Sequence, residues 1–146
     1  MARGYPDYYG QSIFPRLGVL QAAYVAPITC DWGEVTEILN VNGRMLFQSL
    51  EIVFEDIRFP ALISIYFYVD GVSMGGDNIA LFYTYNRLKP HQSIAYVTVY
   101  APAIERYVLQ MTPSTTAYDN LTINIHNNDV VDCEATIRYK YGLLVR

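Results

Sequence analysis

Proton transfer near neutral pH, nucleophilic attack and metal ligation draw on His, Cys, Ser and paired carboxylates. This chain has few of them in working patterns. His91 follows Pro90 in a turn, and His126 ends a strand beside Asn127, Asn128 and Asp129. Neither stands in a His-x-His or HExxH spacing, so a zinc site lacks ligands. Glu51 and Glu55 share a strand face. Strand positions i and i+4 lie roughly 13 Å apart, beyond both glycosidase separations. Asp129 and Asp132 suit a calcium loop in type but lack the EF-hand order of ligands. Gly75-Gly76 opens no helix and so cradles no phosphate. Ser12 and Ser73 have no nucleophile elbow around them. The expectation is a protein without catalysis, cofactor or metal site. Cys30 and Cys133 are expected to be buried free thiols of a reducing compartment, with a disulfide as the alternative.

The remaining chemistry is aromatic. Fourteen of the 146 residues are Tyr, and only 16% are charged, against about 25% in ordinary domains. Tyr supplies apolar area with a hydroxyl handle at low entropic cost, which suits interfaces. Tyr66, Tyr68, Tyr83 and Tyr85, with the lone Trp32, are the candidate ligand or partner surface. Trp32 sits in Cys30-Asp31-Trp32-Gly33 at a strand entrance, where it is either a core plug or a sugar platform. The net charge is −4 and the basic residues are scattered. Nucleic acid is therefore not an expected partner, because phosphate binding rests on clustered Lys and Arg. No apolar run reaches the roughly 20 residues of a membrane helix, and no apolar h-region follows Arg3. No membrane role is expected, and the protein should stay in a cytoplasm until assembly.

The elements that position these residues have period two. Ala61–Asp70 sends Ile63, Ile65, Phe67 and Val69 to one face and Leu62, Ser64, Tyr66 and Tyr68 to the other. Asp70-Gly71 suits a hairpin turn. Arg44–Asp56 places Leu46, Leu50, Ile52 and Phe54 on one parity. Asn42-Gly43 just before it predicts that Glu34–Val41 and Arg44–Asp56 pair antiparallel. Further strands are expected at Val19–Val25, Asn78–Tyr85, Gln92–Tyr100, Ile104–Met111, Leu121–His126 and Cys133–Tyr141. The last of these alternates an apolar face with a charged one, as an edge strand would. Turns are expected at Gly75-Gly76-Asp77, Lys89-Pro90, Ala101-Pro102, Pro113-Ser114 and Asn127-Asn128-Asp129. About nine short strands at this spacing predict an all-β fold, an antiparallel β-sandwich of jelly-roll type.

Two segments resemble bacteriophage virion proteins. Glu37–Met74, EILNVNGRMLFQSLEIVFEDIRFPALISIYFYVDGVSM, resembles a recurrent segment in which a strand leads through a G-x-x hairpin to a strand–loop–strand–DG unit. Leu121–Gly142, LTINIHNNDVVDCEATIRYKYG, resembles their closing hairpin, where I-x-I-x-N precedes an outgoing strand ending in Tyr. Together they cover about 60 of the 146 residues. The resemblance implies a β-sandwich component of a virion: a head decoration protein, a capsid subunit or a tail-associated adaptor.

Residues 1–18 have neither period and are read as an extended N-terminal arm, with residues 19–146 as a single sandwich domain. Tyr5, Pro6, Tyr8, Tyr9, Ile13 and Phe14 are the candidate arm contacts to a neighbouring subunit. Pro6 and Pro15 stiffen such an arm before it docks. The expected function is thus a non-enzymatic phage structural protein, assembled in the host cytoplasm and residing in the virion. Its expected partners are copies of itself, with a trimer favoured, and other virion proteins. The alternative is a carbohydrate- or receptor-binding module of the virion that takes a host glycan.

Overall fold

The computed structural model describes residues 16–88, 94–111 and 115–145, with side chains described for 27–84, 94–111 and 115–143. In chain order the elements are β1 (Arg16–Cys30), β2 (Val35–Asn42), β3 (Met45–Glu55), β4 (Ile63–Val69), β5 (Val72–Asn78), α1 (Ile79–Leu88), β6 (Ala95–Ala101), β7 (Arg106–Met111), β8 (Thr115–Ala117), β9 (Asn120–Asn127) and β10 (Cys133–Val145). Short 3-10 turns at Pro60–Leu62 and Pro102–Ile104 lead into β4 and β7.

The strands form two antiparallel sheets. The six-stranded sheet runs β1-β10-β3-β7-β6, with β8 also on β3, and the four-stranded sheet runs β2-β9-β4-β5. Without β6 and β8, each sheet has four strands, and the chain crosses between them from β1 to β2, β2 to β3 and β3 to β4. It crosses again from β7 to β9 and from β9 to β10. This is the doubled Greek key of a jelly roll, the expected fold class. The inner faces meet in one core. Ile65, Phe67, Ile123 and Ile125 face Phe47, Ile52, Phe54 and Ile137, all fully buried.

The β4 alternation holds as expected: Ile63, Ile65, Phe67 and Val69 are buried, while Ser64, Tyr66 and Tyr68 are half-buried on the outer side. Asp70 and Gly71 join β4 to β5 with φ of 54° and 78°, the left-handed pair a tight hairpin turn requires. The Asp70 carboxylate also accepts hydrogen bonds from the backbone N–H groups of Tyr118, Asp119 and Asn120, at 3.0, 2.6 and 3.0 Å. The Asn120 N–H, and then those of Tyr118 and Asp119, hold its pKa below the usual carboxylate value against the opposing effect of burial. A depressed folded pKa adds stability that is present above the unfolded value, about 3.9, and is lost as pH falls through the folded value. Thermal melts from pH 7 to pH 2 should therefore show wild type losing part of its advantage over Asp70→Asn below about pH 4. Parallel curves would mean the turn is held by backbone geometry alone.

Several expected elements differ. Glu34–Val41 and Arg44–Asp56 do not pair with each other. β2 pairs with β9, and β3 pairs with β10 and β7. Asn42-Gly43 is a corner between sheets, with Gly43 at φ 127° and its N–H bonded to the Asp119 carbonyl at 2.7 Å. The inward parity of β3 also breaks. Met45 and Phe47 are buried, then Leu50, Ile52 and Phe54, whereas Leu46 is half-buried. A register shift opposite Lys140 and Tyr141 inserts the extra residue, and one extra residue flips the faces.

Asn78–Tyr85 is not a strand, because α1 begins at Ile79. The Asn78 side chain accepts the Leu81 N–H at 2.9 Å, an N-cap. Ile79 and Phe82, three apart, are the buried pair, with Phe82 edge-on to Phe67 at 6.4 Å. Gly75-Gly76-Asp77 lies inside β5 rather than in a turn. β10 is no edge strand, since β1 and β3 flank it. Its charged outer face covers the middle of the sheet. Arg16, Leu17 and Gly18, placed in the arm from sequence, belong to β1, which runs on to Cys30.

Candidate functional site

The expected site residues fall in separate places. Trp32 lies in the turn between β1 and β2. Gly33, at φ 73°, turns the chain, its N–H bonded to the Asn127 carbonyl at 2.8 Å. The Trp32 N–H donates to the Asp132 carboxylate at 2.8 Å. The indole is 61% exposed, so Trp32 is no core plug. It is part of the lining of an open depression of about 480 Å³ formed by residues 31–36.

Three other connections reach the same end of the sandwich. Asn128 N–H bonds to the Leu62 carbonyl at 2.9 Å, and Ile57 N–H to the Glu105 carbonyl at 3.2 Å. Phe59, Ile104 and Val130 are exposed there with Trp32. The Arg58 guanidinium donates to both oxygens of Asp129, at 3.2 and 2.8 Å, and its Cζ lies 5.0 Å from the Phe59 ring centroid. Arg58 holds the buried Asp129 carboxyl below its usual range, assisted by the Val130 N–H and opposed by burial. Asp129 thus latches two loops, and Asp132 holds the Trp32 turn. Asp31, Glu34, Asp56, Glu105 and Asp132 are exposed around these apolar tips. Among the described residues, no group of three His, Cys, Asp or Glu converges.

Tyr66 and Tyr68 lie on the outer face of the four-stranded sheet, as the period predicts. One row crosses all four strands: Glu37 on β2 pairs with Asn124 on β9, which pairs with Tyr66 on β4, which pairs with Gly76 on β5. A Cβ at Gly76 would overlap the Tyr66 ring, so the ring lies down over the glycine. The His126 ring packs at its side, centroids 4.4 Å apart. His126, expected near the end of a strand, lies in β9 beside this ring. At the far end of β9, the Asn120 amide donates to the Asn40 and Asn42 side chains at 2.6 and 2.8 Å.

Tyr83 and Tyr85 do not share a strand face. Both belong to α1, where residues two apart diverge. Tyr83 stacks on Tyr100 at 4.1 Å and 9°, and Tyr100 meets Tyr107 edge-on at 5.0 Å. The Tyr83 ring is therefore packed onto the body, while the Tyr85 side chain lies outside the described residues. Tyr96 and Tyr100, which have the same parity in sequence, are separated by a register shift between Val97 and Val99. The Tyr96 hydroxyl meets the Gln110 amide at 3.2 Å on the outer face. The arm candidates Tyr5, Pro6, Tyr8, Tyr9, Ile13 and Phe14 also lie outside the described residues, as does His91.

Two positions were not singled out in the sequence. Asn127, last residue of β9, is 1% exposed and joins three segments. Gly76 makes room for Tyr66. The one sequence signal for Asn127 was an Asn closing an alternating apolar strand, while for Gly76 nothing local names the partner ring. Cys30 and Cys133 are buried free thiols at directly opposed positions of β1 and β10. No protein-family model matches this chain, and a search of curated proteins finds no match.

Proposed function

We propose that this chain is a non-enzymatic structural subunit of a virion, of capsid, decoration or tail-associated type, working by self-association and docking to neighbouring subunits. The observation behind it is the strand order, β1-β10-β3-β7 against β2-β9-β4-β5, an architecture used by viral capsid and lectin domains. Two surface features agree with a docking role. Exposed Trp32, Phe59, Ile104 and Val130 stud one end of the sandwich, and burial of such tips is how interfaces gain affinity. The carboxylates among them favour a basic or apolar partner surface over phosphate. The segment preceding Arg16 joins the body at β1, an edge strand of its sheet, where added backbone can continue the pairing of a neighbour.

Size-exclusion chromatography with light scattering is expected to give a symmetric oligomer, with a trimer favoured. Deleting residues 2–15 spares β1 and should leave a folded body that assembles at least about tenfold more weakly, the effect of losing one or two aromatic anchors. A full-length protein that stays monomeric at high concentration, or a deletion variant that assembles as well as wild type, would count against the reading.

A further inference from the structure

We propose that the outer face of the four-stranded sheet is a binding site for a neutral glycan, with a sugar ring stacked on Tyr66. The proposal stands on the face itself and does not depend on the virion reading.

The two outer faces of the sandwich differ in charge. The six-stranded sheet carries Glu51, Glu55, Arg106, Glu134, Arg138 and Lys140 on its outer side, with Arg106 and Glu55 at 4.0 Å and Arg138 opposite Glu51. That is an ordinary solvated face. On the four-stranded sheet the outward positions of β9 are Asn120, Thr122, Asn124 and His126. Among the described outward positions of its four strands, Glu37 is the one charged group. Water is the default partner of a charged face. A face of amides, hydroxyls and phenol rings suits an uncharged ligand with many hydroxyls.

The centre of the face has the geometry for stacking. A tyrosine on a strand ordinarily stands off the sheet, but Tyr66 lies down because Gly76 beside it has no side chain. His126 packs at its side, 4.4 Å between centroids. The ring is half-buried, with one face toward Gly76. Its opposite face is the surface that the C–H side of a pyranose would cover, through dispersion and the ring quadrupole. A flat aromatic over a glycine also stabilises a sheet by itself. The rest of the row is what points to a ligand. Next to Tyr66, the Asn124 Oδ1 is sheltered from solvent and has no hydrogen-bond partner among the described residues. Such an acceptor costs free energy until a donor reaches it, and turning the half-buried Asn124 amide outward would present it to a sugar hydroxyl. Beyond Asn124 in the same row is the Glu37 carboxylate, an exposed acceptor. The row spans four strands at about 4.8 Å each, so platform and acceptors lie within about 14 Å, a span that suits a short oligosaccharide. Nucleic acid would meet a carboxylate and no cation among the described groups of this face, so it does not fit.

The test uses the full chain on an array of neutral hexose and N-acetylhexosamine oligosaccharides beside sialylated and sulfated ones, followed by titration of isotope-labelled protein with the best-bound neutral one. Binding is expected, with amide shift changes centred on residues 37, 66, 124 and 126. Tyr66→Ala should weaken it about tenfold and Tyr66→Phe by less than about threefold, since stacking is kept. Binding to no neutral glycan overturns the proposal, as does binding confined to sialylated or sulfated ones. Loss of binding in Trp32→Ala with none in Tyr66→Ala would move the site to the loop end and overturn it too. A Tyr66→Ala change in oligomer mass without glycan binding would assign the face to subunit contact instead. Should Tyr66→Ala fail to fold, the shift map of the wild-type chain decides: changes on the row support the site, and changes elsewhere refute it.

Discussion

Asn127→Ala is expected to lower the unfolding free energy by roughly 3 kcal/mol, because it strands several buried backbone groups at once. The Asn127 Nδ2 donates to the carbonyls of Cys30 and Val131, each at 2.9 Å. Its Oδ1 accepts the Asp129 N–H at 2.9 Å. Its own backbone bonds to Gly33 and Glu34 across the end of the sandwich. With the side chain 1% exposed, truncation leaves two carbonyls and an N–H without partners. Each such group costs about 1–3 kcal/mol, and the costs do not add fully, because water can enter the space. The Arg58–Asp129 latch depends on the same loop, so loosening should spread to it. The check is urea unfolding of Asn127→Ala beside Asn128→Ala, whose side chain is exposed. The first should shift its midpoint strongly at unchanged slope, and the second should stay within about 0.5 kcal/mol of wild type. A loss below about 1 kcal/mol at Asn127 would mean that water replaces the amide at little cost.

Oxidation of the Cys30–Cys133 pair is the second large effect. The two residues are directly opposed on antiparallel strands, where Cα atoms stand about 4.5–5.5 Å apart, within disulfide range. With oxidised glutathione, the Cys30 thiolate attacks the glutathione disulfide and releases one reduced glutathione. Cys133 then attacks the mixed disulfide and releases the second. The Cys133 S–H donating to the Cys30 sulfur lowers the Cys30 pKa, against burial, so Cys30 is the sulfur that ionises first. The same contact, and then burial, push the Cys133 thiol far up. Reaction at neutral pH should therefore be slow. The bridge closes a loop of about 100 residues, for which chain entropy gives up to about 4.7 kcal/mol, and strain commonly reduces it to about 2–4. Intact-mass measurement should show the loss of two hydrogens without retained glutathione, and denaturant midpoints should rise. A Cys30→Ser and Cys133→Ser double variant should show neither. A glutathione adduct that never resolves, or a bridge that leaves the midpoint unchanged, would refute the expected clamp.

The sequence was most legible where one strand and one turn suffice. In ISIYFYV the apolar residues occupy alternate positions, and they are the buried ones. Asp70-Gly71 makes the hairpin its dipeptide specifies. Cys133, Ala135 and Ile137 point inward and Glu134, Arg138 and Lys140 outward, as the alternation requires. NIALFYTY was expected to be a strand, but a short apolar run fits both periods. The Asn78 cap and the Ile79–Phe82 spacing decide for the helix. The bulges in β3 and β6 left no mark that an alternation count could see, and each moved side chains to the other face.

By itself, then, the sequence determined the all-β class, the inward sets of β4 and of the first half of β10, the tight hairpin and the poverty of charge. These follow from steric preferences and apolar periods within a few residues of chain. Only the tertiary structure decided that β2 leaves β3 for β9, that Cys30 faces Cys133, that Trp32 is exposed and that Tyr66 lies over Gly76 with Asn124 and His126 on the strand beside it. Strand partners are chosen by how two whole sheets bury their apolar faces together. That choice joins residues far apart in the chain, and no local pattern encodes it.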